Sequence, residues 1–142
     1  MQSSLEIIAR LDEKQKLAFM RAFVYLARAD GAFDEDEKLF IADLSKLYGL
    51  KKKSLPEIMK PRTDKEIVKE VKVIKDKRAK LELIKEMCML AHIDSNFSEI
   101  EIRLIGSVGK AMGVKLEKIE QISNWIIDRI IWLEEEKLIF EK

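Results

Sequence analysis

Apolar residues recur along this chain at spacings of three and four, the period of an α-helix, in nearly every stretch between its few glycines and prolines. Leu5, Ile7, Ile8 and Leu11 mark a short first helix that Ser3 or Ser4 is placed to cap. Leu17, Met20, Phe23, Val24 and Ala27 form the stripe of a second helix over 12–29. After an acidic segment, Asp34 and Glu37 make a D-x-x-E helix start, and Leu39, Phe40, Ile41, Leu44 and Leu47 carry the stripe of a third. Gly49 followed by Leu50 predicts a Schellman ending, because glycine accepts the left-handed conformation and Leu50 packs back on the helix. Residues 54–60 form a short helix before Pro61. Thr63 with Glu66 is a capping box that opens a helix carrying Ile67, Val68, Val71 and Ile74 on one side. Helices over 77–92 and 98–112 follow, the latter ended by Gly113.

The last helix, over 116–140, departs from the amphipathic pattern. Between Trp125 and Leu133 only Asp128 and Arg129 are polar, whereas a surface helix shows a single apolar stripe. Such a helix is covered on more than one side. Either it is the central helix of the bundle, which is the preferred reading, or its excess apolar face meets a second copy in a homodimer. Trp125 and Trp132, seven apart on one face, are core residues in the first case and interface anchors in the second.

One stretch occurs twice. "LARADGAFDEDEKLFIADLSKLYGL" ends at Leu50 and "LAHIDSNFSEIEIRLIGSVGKAMGV" ends at Val114. An offset of 64 pairs Asp30 with Asp94, Ala27 with Ala91, Phe33 with Phe97, Glu35 with Glu99 and Glu37 with Glu101. It also pairs Ile41 with Ile105, Lys46 with Lys110 and Gly49 with Gly113. Two copies of a helix–acidic loop–helix unit, over about 12–50 and 77–114, predict an all-α bundle with an internal pseudo-two-fold repeat. The connector over 51–76 is neither Gly/Ser-rich nor without apolar periodicity, so it reads as ordered helix and not as a domain boundary.

Composition narrows this further. At 142 residues the expectation is one compact domain over 1–142. Charged residues make up 37% of the chain, yet 27 basic and 26 acidic residues leave a net charge of only +1, which argues against a nucleic-acid binder. The single Cys88 excludes an internal disulfide and suits a reducing compartment. Met1 is followed by no basic-then-apolar leader and no apolar run is long enough to anchor in a bilayer, so the expectation is a soluble cytoplasmic protein.

Candidate chemistry concentrates in the two acidic loops. Asp34…Glu37 and Ser98…Glu101 are capping boxes, with Phe97 and Ile102 placed as a staple, and capping alone accounts for them. Asp30 and Asp94 are harder to explain, because each follows a helix C-terminus where negative charge is disfavoured. Asp30, Asp34, Glu35, Asp36 and Glu37 place five carboxylates within eight residues, which calls for Lys, Arg or a divalent cation nearby. The spacing is not that of an EF-hand: counted from Asp30, the sixth position is Glu35 and the twelfth is Ile41, where that loop needs Gly and Glu. Solvated caps and an oxygen-ligand cation site both stand. Cys88 and His92 lie four apart on one helix, but two ligands are not a site and Cys88 aligns with the core position Val24. Lys51, Lys52, Lys53, Lys60 and Arg62 read as a solvated basic connector. No nucleophile–base arrangement and no phosphate-binding glycine loop is present, so an enzyme is not expected.

The segments "ARADGAFDEDEK" and "AHIDSNFSEIEI", separated by a helical spacer, resemble the tellurite-resistance TerB-like family across nearly the whole chain. In the second copy Ser95 and Asn96 stand where the first has Gly31 and Ala32. The resemblance implies a compact fold of about seven helices with internal pseudo-symmetry. It also implies acidic residues gathered on one surface and proposed to bind divalent metal, here Asp30, Glu37, Asp94 and Glu101, to which the loop adds Asp34. Calcium or magnesium is expected ahead of zinc. The implied role is a non-catalytic binding or scaffold module with a protein partner, in metal or oxyanion stress or phage defence. The alternative is a metal-free adaptor whose acidic face docks a basic partner. A related domain fronts membrane-anchored DnaJ-like co-chaperones, but this chain carries neither an anchor nor a His-Pro-Asp motif.

Overall fold

The computed structural model describes residues 4–29, 33–93 and 99–141, and all regular structure in them is helical. The α-helices are α1 (Ser4–Ala9), α2 (Glu13–Arg28), α3 (Glu35–Leu47), α4 (Leu55–Met59), α5 (Asp64–Glu70), α6 (Lys77–Ile93), α7 (Glu99–Ala111) and α8 (Leu116–Phe140). Two 3₁₀ turns, Lys52–Ser54 and Val71–Val73, extend the connector helices. The described residues thus hold eight α-helices where the resemblance implied about seven, because the short α1 and the single-turn α4 both form.

Helix starts follow from local hydrogen bonding. Asp12 Oδ1 accepts from the Gln15 N–H at 2.8 Å, Asp34 Oδ1 from the Glu37 N–H at 2.8 Å and Asp76 Oδ1 from the Ala79 N–H at 2.9 Å. Thr63 and Glu66 close a reciprocal box at the start of α5. Ser4 does not cap α1. It is the first described residue and is already helical, and its hydroxyl is engaged with Glu82; the other candidate, Ser3, lies outside the described residues.

The repeat is visible in the backbone. An offset of 64 carries the first residues of α2 and α3 onto those of α6 and α7, and carries the cap Asp12 onto the cap Asp76. Gly49 and Gly113 stand at φ 82° and 80°. In each copy the residue after the glycine donates back into the helix, Leu50 to the Ser45 carbonyl at 3.0 Å and Val114 to the Gly109 carbonyl at 2.8 Å. Lys51 and Lys115 then lead out in the same extended conformation. From here the copies diverge for a covalent reason. In the first, Pro61 forces Lys60 into extended backbone (ψ 131°) and stops α4 after five residues. The second meets no proline, and α8 runs for 25.

The core forms between the copies. Eight of the 16 residues of α2 are buried, among them Phe19, Met20, Phe23 and Leu26, and α2 packs on α4, α6 and the connector. Leu83, Ile84, Met87 and Cys88 of α6 face it, with Ile7 and Ile8 from α1 and Ile67, Val71 and Ile74 from the connector. Each fully buried side chain of this size contributes roughly 1.5–3 kcal/mol. Gly109 lets α8 close on α7: a Cβ there would stand 2.4 Å from Ile119 Cδ1.

Two expectations are corrected. The helix α8 is not central; α2 is. Only Ile119 and Ile126 of α8 are buried, and Trp125 and Trp132 are 55% and 64% exposed, not core residues. The physical reason is occupancy and length. With α2 and α6 filling the centre, α8 lies against α6 and α7. At about 1.5 Å per residue its 25 residues outrun the 17 of α6 by about 12 Å. Arg62 is the second correction, since it is no member of a solvated basic patch. Its side chain is 4% exposed, pairs with Glu57 at 2.7 Å and Glu70 at 3.0 Å, and donates to the carbonyls of Glu57 and Lys60. The turn at Pro61 folds it under α4 and α5, where it fastens the connector.

Candidate functional site

Of the five candidate ligands, Asp34, Glu37 and Glu101 are described. Asp30 and Asp94 lie outside the described residues, as do Ser95, Asn96, Phe97 and Ser98, so the second capping box and the Phe97–Ile102 staple do too. Asp34 is exposed and commits one carboxylate oxygen to the start of α3. Glu37 and Glu101 occupy equivalent places in the first turns of α3 and α7 and are half-buried. Negative charge is favoured there because the helix dipole presents its positive end.

Positive charge meets the first acidic segment from two sides. The Arg28 guanidinium lies 4.5 Å from the centroid of the Phe33 ring and Lys38 Nζ lies 5.9 Å from it, the range of cation–π attraction. Lys38 also pairs with Glu35 at 3.2 Å. Arg28 is held by the Met59 carbonyl, which accepts from Nη2 at 2.6 Å and Nε at 3.0 Å. Part of the charge balance that the carboxylates demand is therefore built into the protein.

Ala29, the last described residue before the first acidic loop, lines a groove of about 270 Å³ together with Ile100 and Arg103 of the first turns of α7. Tyr25, Arg28, Pro61, Arg62, Asp64 and Leu104 complete the lining. The Tyr25 hydroxyl donates to Asp64 Oδ1, and burial together with that carboxylate pushes the phenol well above its ordinary range. The backbone thus enters the first acidic loop and leaves the second at the walls of one groove. Among the described residues no group of three or more His, Cys, Asp or Glu side chains is gathered closely enough to hold a metal ion. Asp34, Glu37 and Glu101 form no such cluster without the two loop aspartates.

Cys88 is a core residue. It is 1% exposed, and burial pushes its thiol up to about 11. His92 is half-buried with its Nε2 3.2 Å from Ser123 Oγ on α8, and burial holds its imidazole below the ordinary value.

One charged residue escaped the sequence reading. Glu82 is 2% exposed in the middle of α6. Its carboxylate accepts from Ser4 Oγ at 2.6 Å and Arg78 Nε at 3.0 Å, and pairs with Lys85 Nζ at 2.7 Å. Lys85 also donates to Ser4 Oγ at 2.5 Å. Burial pushes the carboxyl up, but Lys85, Ser4 and Arg78 outweigh it and hold Glu82 below the ordinary glutamate value. The repeat carried the signal: an offset of 64 pairs Glu82 with Ala18, which is buried in α2. A carboxylate at a position that the other copy marks as core has to be paired.

Residues 1–60 match the family model described as tellurite resistance protein TerB. The matched segment spans α1 to α4 and includes the first acidic loop, which supports a TerB-like assignment of the chain. No curated protein and no solved structure matched it.

Proposed function

We propose that this TerB-like chain is a non-catalytic binding module whose two acidic loops together hold a divalent cation, calcium or magnesium ahead of zinc. The observation that best supports this is the shared groove, which is lined both by Ala29, just before the first loop, and by Ile100, just after the second. The donors would be Asp30, Asp34, Glu37, Asp94 and Glu101, all oxygen ligands of the kind that hard cations take. Asp34 has one oxygen left for this purpose. Arg28 and Lys38 offset part of the repulsion between the carboxylates, and the cation would offset the rest. In keeping with the family resemblance, we read such a module as acting in metal or oxyanion stress or phage defence, in the cytoplasm beside a protein partner. Calorimetric titration with calcium, magnesium, manganese and zinc tests it: heat is expected with calcium or magnesium, and zinc alone giving heat would reject the oxygen-ligand reading.

A second reading has its own observation. On α3, Leu39, Phe40 and Leu47 are 63%, 54% and 63% exposed on the face that carries Asp36 and Asp43. An apolar face interspersed with carboxylates fits a basic amphipathic helix of a partner protein. In that reading the module is a metal-free adaptor. Leu39→Lys with Leu47→Lys would then abolish partner binding, while the cation reading predicts an unchanged thermal response to calcium in the same variant.

A further inference from the structure

We infer that α8 pairs with α8 of a second copy, antiparallel, about a two-fold axis passing between Asp128 and Arg129. One face of α8 presents Lys118, Gln121, Trp125, Asp128, Trp132, Glu135 and Ile139, spaced alternately by three and four, the seven-residue period of a two-helix seam. This is the face turned away from the buried Ile119 and Ile126. Trp125, Trp132 and Ile139 are 55%, 64% and 67% exposed on it.

Charge sets the partner and the direction. The N-terminal half of the face is net cationic: Lys118, Gln121 and Trp125 share a groove of about 420 Å³ with Arg78, Lys85 and Glu82 of α6, where the Glu82 carboxylate offsets one of the positive charges. The C-terminal half carries Glu135 and Glu136. A parallel pair would set lysine on lysine and glutamate on glutamate. The antiparallel pair lays the partner's acidic half over the cationic groove, and the two-fold makes this happen twice. In that register Trp125 faces the partner's Trp132, Gln121 faces the partner's Glu136 and Asp128 faces the partner's Arg129. Four half-exposed indoles supply on the order of 500 Å² of contact. Ile139 and the stems of Lys118, Arg129 and Glu136 extend this toward the roughly 1,200 Å² at which specific interfaces begin. The surface is complementary to itself, which favours a second copy over an unrelated partner.

This proposal is independent of the cation, so its failure and that of the cation reading are separately visible. Sedimentation equilibrium of the full chain should give twice the 16.6 kDa chain mass. Trp132→Glu should return it to monomer with unchanged helicity, because that side chain contributes little to the core. Asp128→Arg alone and Arg129→Asp alone each set like charges against each other across the axis and should weaken dimerisation about tenfold or more. The double exchange, Asp128→Arg with Arg129→Asp, should restore it. A monomer at about 100 μM wild-type chain, a dimer that survives Trp132→Glu, or a double exchange no better than the singles would each overturn the proposal.

Discussion

Glu82→Gln isolates the one deeply buried charge of α6 while leaving its shape. Hydrogen bonds to charged groups contribute roughly 1.5–3 kcal/mol each, and three are at stake. Arg78 is 61% exposed and returns to water when its partner is neutralised, so its share is small. Lys85 is 23% exposed and keeps the neutral Ser4 hydroxyl at 2.5 Å and, as its remaining counter-charge, Glu86 at 4.0 Å. Stranding a fully buried charge costs roughly 3–5 kcal/mol; with one cation solvated, the expected loss is about 2–3 kcal/mol. In a chain of this size that lowers Tm by roughly 6–12 °C. The pH dependence gives a second handle. The folded carboxyl sits below its ordinary value. Its stabilisation is therefore fully present above the ordinary glutamate range and is lost as pH falls through the folded value. Urea unfolding of wild type and variant across the acid limb should show curves separated at neutral pH that converge on acidification. Ser4→Ala, which removes the hydroxyl bridging Glu82 and Lys85, should couple to Glu82→Gln rather than add to it. A Glu82→Gln variant within about 0.5 kcal/mol of wild type at pH 7 would refute the reasoning, and so would a gap that stays constant into acid.

Asp34→Ala removes the cap of α3 and should cost about 1 kcal/mol in urea unfolding without added cation, and more with cation present, because a proposed ligand goes with the cap. Ser45 is 2% exposed and its Oγ has no hydrogen-bond partner among the described residues. Ser45→Ala should therefore leave stability unchanged or raise it by up to about 1 kcal/mol by thermal melt. Cys88 should resist a disulfide reagent at pH 8 in the native protein and react stoichiometrically in denaturant, because its thiol is buried and pushed up to about 11.

The elements that local chemistry decides were legible in the sequence. Asp34 and Thr63 cap because their side chains reach backbone donors three residues on, and Gly49 and Gly113 end helices because glycine accepts φ near +80°. The place of α8 was not legible. An all-round apolar helix satisfies both a core and an interface, and what decides is that α2 and α6 already fill the centre. Arg62 reads as solvated because basic residues precede it in sequence, whereas its neighbours in space are Glu57 and Glu70, brought there by the turn at Pro61. The burial of Glu82 is masked in sequence by the charges around it, although the repeat aligns it with the core residue Ala18. At the candidate site, the capping role of Asp34 was legible. The joint role proposed for Asp30 and Asp94 was not legible in the spacing along one chain, and both residues lie outside the described ones.

The measurement that bears most directly on the proposed cation binding is the melting temperature of wild type and Asp30→Asn as calcium or magnesium is raised from micromolar to millimolar. A cation that binds only the folded chain raises Tm with the logarithm of its concentration above Kd. The account predicts that rise in wild type. In Asp30→Asn it predicts a weakened rise from an ion-free stability that is equal or slightly higher, since one repelling charge has gone. Identical, flat responses in both proteins up to millimolar ion would contradict it and leave the acidic loops as helix caps.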